Sequence, residues 1–271
     1  MLENSELGKK SQYIDRYDNS LLFPIPREIK REEISIPKGY KFYGSDIWIG
    51  FEISWLNAKG KPIVKIGRFT IDSNSENIIE SKSFKLYLNS FNNTVINSDS
   101  DALKMMQNDL SKAANGTVNV ELFNLDEFDS EISYLGGMCL DDLDIQVDNY
   151  EVDTTILKSS DTKVSEELYS NLLKSNCLVT GQPDWGSVYI KYEGNQIHKE
   201  SLLQYIISFR NHNEFHEQCV ERIYNDILKT LKPEKLLVYA RYTRRGGLDI
   251  NPIRSNYNYD QNIHKIRLIR Q

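Results

Sequence analysis

No apolar run in this 271-residue chain approaches the roughly 20 residues a membrane-crossing helix needs, so no spanning segment is expected. The opening eleven residues are polar and lack the apolar stretch of a secretion signal, which predicts a cytoplasmic protein that does not engage a membrane. Cysteine is scarce: Cys139, Cys177 and Cys219 are odd in number and widely spaced. That excludes a closed disulfide framework, and the absence of any CxxC or Cys/His ligand spacing argues against a structural metal. No GxGxxG follows a strand-like segment, so a dinucleotide, if bound, is not held by a Rossmann turn.

What is present is a globular composition, with 39% apolar and 27% charged residues and sixteen tyrosines for packing on a flat ligand. The net charge of −6 is unevenly spread. Residues 121–170 hold 14 Asp and Glu against Lys158 and Lys163, a local net of −12 that leaves +6 for the remainder. Such an acidic block opposes direct nucleic-acid binding and leaves small anionic ligands open to the basic remainder.

The order of patterns repeats. Residues 46–56 alternate as a strand, 57–60 supply turn chemistry, and 61–71 give a second strand. Helical spacing follows over 101–114 behind cap candidates at 98–100, then a strand over 117–123. In the second half, strands over 172–180 and 187–192 flank a turn at 181–184. An amphipathic helix over 217–231 and a strand over 236–243 complete that half. Tyr87, Ser90, Phe91 and Asn93 match Tyr205, Ser208, Phe209 and Asn211 at a constant offset, as a duplication requires. The expected class is α+β, two tandem modules of antiparallel sheet with packed helices. The expected divisions are an extension over 1–45, modules over 46–125 and 171–271, and an acidic linker over 126–170.

Four segments carry candidate chemistry. Cys177, in Ser-Asn-Cys-Leu-Val-Thr-Gly at a strand end, has Asp184 across a Gly/Pro turn. A thiolate there is a nucleophile and a carboxyl of raised pKa a proton donor; equally, the pair reads as a core thiol and a turn residue. His216 and Glu217 open the amphipathic helix, where a first-turn carboxylate stays ionised and can accept two donors from a guanine-like edge. A core histidine and a helix-end charge are the plain alternatives. The polar–basic alternation of residues 80–88 offers Glu80 to a base and Ser81 with Lys82 to a phosphate, or forms an exposed strand or helix start. Arg241, Arg244, Arg245 and Arg254 around Gly246-Gly247 read as a phosphate cradle or a solvated basic loop.

Together these segments resemble the long, two-module 7-cyano-7-deazaguanine reductases, the QueF-type nitrile reductases. The likeness rests on Leu7-Gly8-Lys9, Leu22 to Arg27, Glu80 to Tyr87, Asn176-Cys177 through Asp184, Phe215-His216-Glu217, and Arg244 to Pro252. It implies tunnelling-fold modules and a cytoplasmic homodimer of queuosine biosynthesis. The implied reaction takes a nitrile to a primary amine with two NADPH per turnover and no metal. It further implies Cys177 as the nucleophile that forms a thioimide and Asp184 as proton source. Ile79, Glu80, Ser81, His216 and Glu217 would contact the substrate, with Ser81, Lys82, Arg245 and Gly246 on NADPH. Cys139 and Cys219 match no catalytic position. A cofactor-independent Cys/His thiol hydrolase, a zinc cyclohydrolase of the same fold and a non-catalytic purine-binding module remain as competing readings.

Overall fold

The computed structural model describes residues 13–128 and 132–271, so Leu7-Gly8-Lys9 lies outside the described residues. The described chain forms two compact units: residues 13–29, 45–128 and 244–249 make the first, and residues 30–44, 132–243 and 250–271 the second.

In the first unit, β2 (Tyr43–Leu56) and β3 (Pro62–Asp72) form the expected antiparallel hairpin, and β5 (Val118–Phe123) pairs with β3 on its far side. A small second ladder joins β1 (Pro24–Pro26) to β4 (Asn77–Ile79). Helix α2 (Ser81–Ser90) settles the ambiguous stretch at residue 80 in favour of a helix start. Helix α3 (Asp99–Ala114) begins at Ser98, whose side chain accepts from Asp101 N, and stops at Asn115 in the left-handed region. That pairing of a serine N-cap with an αL stop satisfies backbone groups at both helix ends. The core is aromatic: Phe84 packs against Trp48 at 5.1 Å and Phe69 at 5.0 Å between ring centroids. Arg27, at the start of α1 (Arg27–Glu33), is buried and reaches Asp46 at 2.6 Å.

The second unit has a sheet in the order β10 (Leu248–Ser255, of which residues 250–255 lie in this unit), β9 (Lys235–Tyr242), β8 (Pro183–Ile197), β7 (Ser159–Asn176), β6 (Met138–Cys139). All pairs are antiparallel except the short β6–β7 contact. Helices α4 (Lys199–Ser208) and α5 (His216–Leu231) supply Leu202, Ile206, Val220, Ile223 and Ile227 to a core completed by Val188, Ile190, Val238 and Ala240. The α+β class with antiparallel sheets and packed helices is met in each unit.

Three local readings change. Residues 159–170, inside the compositionally acidic stretch, belong to β7, because their acids are cross-strand partners. Glu167 faces Lys191 at 2.7 Å, and Glu166 accepts from the Tyr192 hydroxyl at 2.6 Å. The second hairpin turns earlier than its Gly/Pro chemistry indicates: β7 ends at Asn176 and β8 starts at Pro183, so Asp184 is a strand residue. Finally, residues 248–255 are a fully buried strand instead of part of a cradle. Its polar residues hid this, but they are paired inside: Asn251 Oδ1 accepts from Gln271 at 2.7 Å and Arg254 donates to Glu221 at 2.9 Å.

Candidate active site

Cys177 is the first residue after β7, and its backbone closes the hairpin turn. Its N–H donates to Gln182 O at 2.8 Å and its carbonyl accepts from Gly181 N at 3.0 Å. Gly181 has φ of +66°, a left-handed conformation that glycine adopts without strain. One residue earlier, Asn176 pairs with the chain that leads into α5. It donates to His212 O at 2.8 Å and accepts from Glu214 N at 3.1 Å. A strand end holding the nucleophile candidate is thus tied through its main chain to the residues just before His216-Glu217, which no sequence spacing revealed.

Asp184 is the second residue of β8, opposite Ser175, and only 6% exposed. Its Oδ1 stands 3.7 Å from His216 Nε2. Cys177 and Glu217 are likewise buried, at 5% and 3%. Asp184 and His216 are thus neighbours in a largely dry region, where electrostatic and hydrogen-bonding effects are stronger than in water, and Cys177 and Glu217 are buried in the same unit.

Glu214 is a site-adjacent group that sequence reasoning missed. It is 1% exposed and receives two bonds from Arg222, at 3.0 and 2.8 Å, with His212 Nε2 at 3.0 Å. Burial alone would raise its carboxyl, but the His212 and Arg222 hydrogen bonds and their charges outweigh it and hold the group below the ordinary range. Its separation of eight residues from Arg222 resembles no motif, so only the helix start could have hinted at it. Cys219 is fully buried, and burial followed by the Glu214 charge pushes its thiol up to about 12. A thiol so disposed against ionisation is a packing group, in line with its structural reading. Lys174 is drawn below its ordinary value by burial and by Arg210, with Asp184 opposing. Its ammonium donates to Asn176 Oδ1 and Arg210 O, each at 2.6 Å.

In the first unit, Ile79 ends β4 and is 2% exposed. Glu80 is fully buried, and its carboxylate caps α2 by accepting from Lys82 N at 2.7 Å and Ser83 N at 2.8 Å. The predicted base-binding carboxylate is thus also the N-cap, with its oxygens oriented by their own helix. Ser81 and Lys82 occupy the first turn of α2.

Each of the four arginines has its own neighbours within its unit. Arg241 is buried and donates to Gln271 Oε1 at 2.6 Å, and Arg254 is fully buried against Glu221. Arg244 instead lies over the Phe51 ring at 4.8 Å, and Arg245 closes the turn by donating to Leu248 O at 2.9 Å. Gly246 and Gly247 have φ of +62° and +75°, and Gly247 O accepts from Phe51 N at 2.9 Å. They border a cavity of about 530 Å³ with Lys85, Asn89, Asn92 and Glu52 on its wall. A Cβ on Gly246 would stand 3.4 Å from Lys85 Cδ, so glycine leaves that lysine room to approach an anion. Of the predicted cofactor contacts, Gly246 lines this cavity, whereas Ser81, Lys82 and Arg245 do not. Among the described residues, no cluster of three or more His, Cys, Asp or Glu is placed to hold a metal, and no helix is long and apolar enough to cross a membrane.

Two family models match the chain. One, described as nitrile reductase, 7-cyano-7-deazaguanine-reductase N-term, covers residues 13–122; the other, described as QueF-like protein, covers 183–261. The first includes Ile79 to Lys82 and the second includes Asp184, His216, Glu217, Arg245 and Gly246. A protein of Cupriavidus metallidurans named NADPH-dependent 7-cyano-7-deazaguanine reductase is 58% identical over 261 residues, 94% of each chain. One of the same name from Hydrogenovibrio crunogenus is 55% identical over 271 residues, 99% of this chain and 97% of the relative.

Proposed function

The chain belongs to the NADPH-dependent 7-cyano-7-deazaguanine reductase family, and from that premise we propose that it reduces the nitrile through a covalent thioimide on Cys177. The reaction is the NADPH-dependent reduction of 7-cyano-7-deazaguanine, a step of queuosine biosynthesis. A nitrile accepts hydride poorly. Addition of the Cys177 sulfur to its carbon, with a proton to its nitrogen, converts it to an activated C=N group. The observation that carries the assignment is the closeness of Asp184 Oδ1 to His216 Nε2 at 3.7 Å, in the unit whose β7–β8 turn begins with the buried Cys177.

In this reading Asp184 supplies the proton that the nitrile nitrogen takes up, and His216 borders the substrate and holds the Asp184 carboxyl in place. Glu217 receives the N–H donors of the deazaguanine edge, a bidentate contact that a carboxylate suits. Ile79, Glu80 and Ser81 are assigned to the substrate by the same family pattern. NADPH, when bound, supplies hydride, and conversion of a nitrile to an amine takes two equivalents with two protons. The glycine turn at Gly246 and the Lys85 ammonium fit a phosphate, although Glu52 on the same wall repels one. Ser81, Lys82 and Arg245 complete the proposed cofactor contacts. A homodimer in the cytoplasm, with no direct nucleic-acid contact, is the assembly the family resemblance favours.

The His216–Asp184 pair also suits a thiol hydrolase, which would turn over without NADPH. Following NADPH oxidation against 7-cyano-7-deazaguanine consumed separates the two. Two NADPH oxidised per nitrile lost supports reduction, and nitrile loss without oxidation overturns it.

A further inference from the structure

The His216 imidazole is held by more than Asp184. Tyr242, the last residue of β9, is fully buried, and its ring meets that of His216 edge to face, with centroids 4.1 Å apart at an interplanar angle of 89°. The two rings are in direct contact, closer than aromatic pairs usually stand. His216 is the first residue of α5.

The placement of Tyr242 is itself determined by its neighbours. In the β8–β9 ladder it lies opposite Gly186, two residues after Asp184 and on the same face of the sheet. A Cβ at Gly186 would stand 3.2 Å from Tyr242 Cδ1 and Cε1, so a larger residue there would push the ring by a few tenths of an ångström. Its hydroxyl is buried beside the Cys219 thiol and the Ser175 hydroxyl without a well-aligned hydrogen bond to either. Its carbonyl accepts from Gln271 Nε2 at 3.1 Å, which pins the backbone at the strand end. The ring, packed against Gly186, is what faces His216.

We propose that Tyr242, seated on Gly186, is a positioning residue that sets the orientation of His216 toward Asp184. This rests on the reading of His216 as a group at the reacting centre. Loss of the ring frees the imidazole to turn, and displacement of a group near reacting atoms by about 1 Å costs on the order of 100-fold in rate.

The test compares Tyr242→Leu, Tyr242→Phe and Gly186→Ala in NADPH-dependent reduction, with Val238→Ala as a core control elsewhere in β9. The expected result is a kcat lowered about 10- to 100-fold in Tyr242→Leu with KM for the nitrile little changed. Tyr242→Phe restores kcat, Gly186→Ala falls between, and Val238→Ala loses stability but not kcat. A folded Tyr242→Leu enzyme with unchanged kcat overturns the proposal, as does equal damage from Tyr242→Phe or Val238→Ala. If Tyr242→Leu does not fold, Gly186→Ala decides: unchanged kcat there overturns it. The carbon-bound imidazole protons of His216, identified against His216→Asn, give a readout that needs no turnover. They should be displaced from random-coil positions by the Tyr242 ring and move in Gly186→Ala, whereas random-coil positions in the unsubstituted protein overturn the contact. An unsubstituted enzyme with no reductase activity but displaced protons would instead defeat the functional reading alone.

Discussion

Asn176 and Asn213 face one another as an isolated parallel bridge, and the Asn176 side-chain amide donates to Asn213 Oδ1 at 3.0 Å. The same Asn176 amide oxygen accepts from Lys174 Nζ at 2.6 Å, so one side chain orients both the strand end and the approach to α5. Removing one partner of this bond in Asn213→Ala should cost about 0.5–1.5 kcal/mol of stability by denaturant unfolding. It should lower kcat more than stability alone explains, because it loosens Cys177 relative to His216 within one unit. Unchanged kcat with the expected loss of stability would show that the backbone pairing suffices.

Asp184→Asn keeps the shape and burial of the side chain but cannot supply a proton as a carboxyl does. Substrate binding, measured by titration without NADPH, should persist, while reduction falls by about 100-fold or more, the range general acid catalysis contributes. Normal turnover in that variant would remove Asp184 from the chemistry.

Glu214 gives a pH dependence whose sign is fixed by its surroundings. Its carboxyl titrates below the ordinary range in the folded chain, so it binds its proton less readily than in the unfolded chain, where about 4.3 applies. Its stabilisation is therefore complete above that unfolded value and is lost as pH falls through the folded one. Glu214→Gln should flatten the acid limb of the stability–pH curve below about pH 4.3. At neutral pH it should also destabilise by about 1–3 kcal/mol, since the partly buried Arg222 loses its two bonds to a carboxylate and retains only Glu33. An unaltered acid limb would contradict the assignment.

The duplication was legible in side chains because it repeats a bonding pattern. Tyr87 donates to Asp109 at 2.7 Å and Ser90 Oγ to Tyr87 O at 2.6 Å; Tyr205 donates to Asp226 and Ser208 Oγ to Tyr205 O at the same distances. The first hairpin and both long amphipathic helices were also readable, since their periodicities match their burial. Strand β10 was not, because Asp249, Asn251 and Arg254 look like surface residues until the partners that bury them are seen. Nor was Glu80 as a helix cap, since a glutamate is an uncommon cap and its reach to Lys82 N and Ser83 N is a matter of backbone geometry. At the site, Cys177, Asp184, His216 and Glu217 were identifiable as types in order. Glu214 and Tyr242 were not, because their contacts depend on an ion pair between the approach to α5 and its second turn and on a ring packed over a glycine in the neighbouring strand.

The central claim is that Cys177 bonds to the nitrile carbon, and the mass of the intact protein tests it most directly. Incubated with 7-cyano-7-deazaguanine and no NADPH, the protein should gain the mass of a single substrate molecule per chain, and Cys177→Ala should gain none. An adduct that survives in Cys177→Ala, or its absence from unsubstituted protein that binds the nitrile, would contradict the account.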